Sequence, residues 1–140
     1  MRYLIIFSML LFISSAEAYA SKTIYNCKII SAEKIEKSSL DAREYTLTPL
    51  PLDNFLDRKL IIREPIIGKR SIIVEKEQNF FIGSVAWGPK DSIEIIGSNK
   101  VGGIYDYFSV FNRNTKILRL EIIENYKDRI IETNRKYQCI

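Results

Sequence analysis

Ile104-Tyr105-Asp106-Tyr107-Phe108-Ser109-Val110-Phe111-Asn112 decides the fold. Neighbouring side chains of a strand point to opposite faces, so Tyr105, Tyr107, Ser109 and Phe111 share one side. Ile104, Asp106, Phe108 and Val110 share the other. Asp106 is awkward there, between two apolar residues. Either it is a buried carboxylate with a partner or a ligand contact in a barrel interior, or Tyr105, Tyr107 and Phe111 form the inward face. Asn112-Arg113-Asn114-Thr115 then reads as a turn, and residues 116–125 as a second strand. In it Leu118, Leu120 and Ile122 alternate with Arg119, Glu121 and Ile123, which turns the first set to a core. Asn125-Tyr126-Lys127-Asp128 is a second turn, leading into a last strand at 129–139.

Upstream the same grammar continues in shorter pieces. Strands are expected at 59–63, 70–75, 80–87 and 92–96, with 97–103 as a flexible connection. Glu64-Pro65 stops the first of these and Gly88-Pro89-Lys90-Asp91 the third. The first strand is expected at 23–31, with Tyr25, Cys27 and Ile29 on one face. Residues 31–44 are ambiguous. Their Ala, Glu and Lys content favours a short helix, whereas their sparse apolar residues suit a charged edge strand and turn. Pro49 and Pro51 argue against a central strand, and Asp53 is expected to cap one helical turn through Asp57. The reading is an all-β chain with at most one short helix near 31–44 or 53–58. Its antiparallel meander forms a small barrel or a sandwich, first and last strands joined. No repeat or linker divides it, so 21–140 is expected to be a single β domain.

The N-terminus reads as a secretory signal peptide over residues 1–20. Met1-Arg2 supplies the positive start, residues 4–13 an apolar run too short to span a bilayer, and Ala16-Glu17-Ala18-Tyr19-Ala20 the small-residue cleavage site. Cleavage is expected after Ala18 or Ala20, and the product to be exported, periplasmic or secreted, with no stable membrane span. In an oxidising compartment the two cysteines, Cys27 and Cys139, are expected to form one structural disulfide. The net charge of +4 is a mild basic bias, ordinary for an exported protein.

Tyr25-Asn26-Cys27 at one end and Lys136-Tyr137-Gln138-Cys139-Ile140 at the other carry a resemblance. With Asn79-Phe80-Phe81 and the hairpins after Phe111 and Asn125, the layout resembles small exported single-disulfide β proteins of proteobacteria. That resemblance implies an exported β domain with a terminal bridge. It implies no activity.

The chain contains no histidine, which excludes Ser-His-Asp and Cys-His nucleophilic sites and histidine-based metal sites. No phosphate loop, dinucleotide fingerprint or EF-hand loop is present, and Gly97, Gly102 and Gly103 read as turn residues. No catalytic residue, metal or cofactor is therefore expected. Carboxylate pairs remain as a route to hydrolysis: Asp53 with Asp57, Asp106 with Glu121, and Glu121 with Glu124. Lys69-Arg70 and Arg135-Lys136 read as surface charge. Trp87, Tyr105 and Tyr107 are the candidate partner contacts, and 64–69, 88–91 and 97–103 the candidate binding loops. The leading expectation is a non-enzymatic binding module, inhibitor- or immunity-like, with a protein or small-molecule partner and no nucleic acid. The alternatives are a small apolar-ligand carrier with a barrel cavity and a carboxylate-only hydrolase.

Overall fold

The computed structural model describes residues 21–38, 43–64, 70–77, 80 and 93–140. They form β1 (Ser21–Ser38), β2 (Tyr45–Pro49), β3 (Arg58–Glu64), β4 (Ser71–Val74), β5 (Glu94–Val101), β6 (Tyr105–Asn112), β7 (Ile117–Asn125) and β8 (Arg129–Cys139). All pairings are antiparallel, in the order β4-β3-β1-β8-β7-β6-β5, with β2 added to β1. The edge strands β4 and β5 touch without forming a ladder, so the sheet is a nearly closed barrel rather than a sandwich. The expected β hairpins after Asn112 and Asn125 are both present.

Cys27 and Cys139 are direct partners in the β1–β8 ladder and form the disulfide that joins first and last strands. Above it lies one cross-strand layer, Ile29–Tyr137–Leu118–Phe111–Ile95, and every member is buried. Leu60, Ile62, Ile72 and Val74 complete the core from β3 and β4. Directly opposed side chains share a face, so this layer fills the barrel at the disulfide end.

One open alternative is decided and two expectations are corrected. Residues 31–38 are not helical: β1 runs on to Ser38, paired on one side with β2 and on the other with β8. Helix propensity there is weak, and two flanking ladders outweigh it; Lys37 also pairs with Glu132 at 2.6 Å. The connection expected at 97–103 is mostly strand, because β5 continues to Val101. The turn is confined to residues 102–104, where Gly102 and Gly103 have φ of 62° and 72°. The helical turn is the 3-10 turn Leu52–Asn54, with Pro51 at its N-cap and no side-chain cap; Asp53 sits inside it. Asp57 does something else: its Oδ1 accepts from the Ile29 N–H at 3.4 Å, where a bulge between Ile29 and Ser31 interrupts the β1–β8 register. The extra residue keeps Ala32 on the inward face after Ile29, and both are buried.

Candidate binding surface at the open end

Beyond the filled layer, the inward face changes character one layer at a time. The next layer is Ala32–Arg135–Leu120–Ser109–Gly97. It is buried, yet it contains a guanidinium: Arg135 is 5% exposed. The third layer is Lys34–Thr133–Ile122–Tyr107–Asn99, and the fourth Glu36–Ile131–Glu124–Tyr105–Val101. Burial falls along this series until Val101 is exposed. Among the described residues, the barrel is therefore plugged at the disulfide end and open at the other, where its inner wall is aromatic and charged.

Arg135 was expected at the surface with Lys136. Strand alternation separates the pair: Lys136 is exposed and Arg135 turns inward. Its Nη1 donates to Glu77 Oε1 at 2.7 Å and to the Tyr137 hydroxyl at 3.3 Å. The guanidinium lies over the rings of Phe55 and Phe80, at 5.6 and 5.5 Å from their centroids. Burial works to lower the Arg135 pKa, but the hydrogen bond and charge of Glu77 overcome it and the net shift is upward. Glu77 Oε1 also accepts from Arg58 at 3.1 Å, so one carboxylate holds two arginines. Burial is also the main cause of the raised pKa of the neighbouring Tyr137. Arg70, of the other basic pair, is partly buried within 4.0 Å of Glu64, and Lys69 lies outside the described residues.

The structure places both candidate tyrosines on this inner wall and decides the Asp106 question. Tyr107, Ser109 and Phe111 are buried, so Asp106 faces outward, held by Lys100 at 3.4 Å and by Asn125 Nδ2 at 3.2 Å. Tyr107 packs against Phe80 edge to face at 5.4 Å and stacks on Tyr105 at 6.2 Å. Tyr105 is half-buried and reaches the rim, where it meets a residue the sequence reading missed. Tyr126, read as a turn residue, donates to Glu124 Oε2 at 2.6 Å, and Arg129 lies over its ring at 5.5 Å. The hydrogen bonds with Glu124 and Tyr105 push the Tyr126 pKa up to about 12. Exposed Val101, Ile104 and Tyr126 complete the rim, and the Asn125 N–H to Ile104 carbonyl bond holds the two hairpin tips together. The signal for Tyr126 was its place in the turn beside the strand that faces Tyr105.

The carboxylate pairs fare differently. Glu121 and Glu124 lie on opposite faces of β7, because Leu120 and Glu124 point inward and Glu121 does not. Asp106 and Glu121 are diagonal neighbours on the outer face. Burial, then the charge of Glu132, raise the Glu121 pKa. Asp53 is exposed, and Asp57 is engaged with the Ile29 N–H. Trp87 and the loops 65–69 and 88–91 lie outside the described residues. Among the described residues, no helix is long and apolar enough to cross a membrane. Comparison with protein-family models, curated proteins and solved structures finds no match.

Proposed function

We propose that this chain is an exported, non-enzymatic binding module that grips a protein partner with the open end of its barrel. One observation carries the reading: the inner wall passes from a filled apolar layer through half-buried Tyr105 to an exposed rim of Tyr126, Val101 and Ile104. Tyrosine supplies large contact area at low entropic cost, and clustered exposed apolar side chains mark interaction surfaces. The disulfide suits an oxidising, exported location, in keeping with the signal-peptide reading of residues 1–20.

The same wall works against a carrier of apolar ligands. Lys34, Glu36, Glu124, Thr133 and Asn99 line the two outer layers, and burying them against a hydrocarbon would strip polar groups of water. The disulfide end has no such lining but is packed with side chains.

A photo-crosslinking residue at Ile104 or Tyr126, with a control at Lys59 on the far side, tests the proposal in cells that export the protein. One defined protein adduct from both rim sites, absent from the control and lost in Tyr105→Ala, is the expected result. Equal labelling at rim and control, or a small lipophilic mass retained in native mass spectrometry, would overturn it in favour of no site or of a carrier.

A further inference from the structure

We infer that the outward face of β1 and β3, at the disulfide end, docks on an anionic phospholipid bilayer. Its basic side chains meet headgroup phosphates, and two isoleucines enter the interface. The observation behind this is an uneven placement of charge. Elsewhere in the barrel Lys34, Lys37, Lys100, Arg113, Arg119 and Arg129 are held in ion pairs. Lys22, Lys28, Lys59, Arg63 and Lys76 are all exposed, and among the described residues none of them makes an ion pair.

The ladder gathers these five cations. Tyr25 and Leu60 are opposed on the inward side, so the flanking pairs Asn26–Lys59 and Ile24–Ile61 face outward, and Lys22–Arg63 beyond them. Lys28, Ile30, Lys59 and Lys76 line one cleft of about 960 Å³, within the range of small-molecule sites and so roomy enough for a lipid headgroup. Arg63 and Lys76 line a smaller cleft beside it. The acids here are Asp57 and Glu75, and Asp57 is engaged with the Ile29 N–H. Arg58 also lines the larger cleft, but Glu77 answers its charge. Lys76 has a φ of 63°, in the region that favours glycine, so a lysine there carries a backbone cost that glycine avoids.

The apolar residues of this face choose the partner. Ile24 is 51% and Ile30 46% exposed. Ile30 is the extra residue of the β1 bulge and has no partner in the β8 register. The bulge that keeps Ala32 inward thus also sets an isoleucine on the surface beside Lys28. Basic side chains interleaved with exposed aliphatic ones suit a lipid surface, where ammonium groups pair with phosphates and apolar chains leave water. Protein interfaces are poor in lysine and rich in aromatic rings, and single-stranded nucleic acid needs rings to stack on. Among the described residues, neither cleft is lined by an aromatic ring.

The test is cosedimentation of the oxidised chain with vesicles of equal parts phosphatidylglycerol and phosphatidylcholine, against vesicles of phosphatidylcholine alone. Binding to the anionic vesicles only, lost at high salt, is the expected result. Lys28→Gln and Lys59→Gln should each lower the partition coefficient about fivefold. Lys100→Gln, in a cation paired with Asp106 toward the open end, should leave it unchanged. Lys76→Gly should weaken binding as much without lowering the urea midpoint, because it removes the charge and relieves the backbone together. Ile30→Ser should weaken it as well. Failure to bind anionic vesicles would overturn the inference, as would binding indifferent to Lys28→Gln and Lys59→Gln. Binding indifferent to Ile30→Ser and matched by binding to polyglutamate would also overturn it, and would assign the face to an acidic protein.

Discussion

Arg135 is the costliest residue to leave alone in this barrel. It sits 6% exposed at its side chain, and Glu77 supplies its counter-charge. Removing Glu77 strands a buried cation, whereas removing Arg58 leaves the Glu77–Arg135 pair intact. Glu77→Ala should therefore cost about 3–5 kcal/mol, and Arg58→Ala clearly less, in urea titrations of the oxidised protein. Equal costs would show that Arg135 finds its compensation elsewhere. Glu121 makes the opposite case. Its pKa is raised above 4.5 by burial and by Glu132, so the folded state prefers the protonated acid. That preference supports the fold below about pH 4.5 and is lost as pH rises through the raised value. Glu121→Gln should accordingly raise the Tm at neutral pH, with the gain shrinking toward acid. None of this was legible in the sequence at Arg135, because Arg-Lys in a strand looks like surface charge until register says which of the two turns inward. Tyr107 and Tyr105 were legible as a pair because alternation alone puts them on one face.

At the scale of elements, the hairpins read well because their turns have local chemistry. Asn112 Oδ1 accepts from the N–H groups of Asn114 and Thr115, both at 3.0 Å, and so closes the β6–β7 turn through its own side chain. Asn112→Ala should cost about 1 kcal/mol in the same titration, and Asn112→Asp much less, since the acceptor survives. If both cost the same, the turn is held by its ladder and not by this side chain. β1 reads poorly for the converse reason. Residues 31–38 have no local device that makes them extended; they are strand because β2 and β8 pair with them from both sides. The bulge at Ile30 is also invisible in sequence, yet it decides which face Ala32, Lys34 and Glu36 take, and hence what lines the open end.

At the scale of the molecule, the barrel is closed by side chains where main-chain bonds are missing. Glu64 at the end of β3 pairs with Arg70 and with Arg113 in the turn after β6, on the two sides of the β4–β5 seam. Glu77 ties the chain after β4 to β3 and β8. The disulfide adds the one covalent closure, across a sequence separation of 112 residues. It restrains the unfolded chain far more than the folded one, since Cys27 and Cys139 are already ladder partners beneath a filled layer. Its contribution on the loop-entropy account is up to about 4.7 kcal/mol. The double variant Cys27→Ala with Cys139→Ala should lose most of that, as a lower urea midpoint. Its m value should rise, because an uncrosslinked chain exposes more surface when it unfolds. The native spectrum and the rim crosslinks at Ile104 and Tyr126 should survive, since the packed layer separates the bridge from the open end. An unchanged midpoint would show that the β1–β8 ladder and the ionic closures already hold the barrel shut. Loss of the rim crosslinks in a folded variant would show that the two ends are coupled through the Arg135 layer between them.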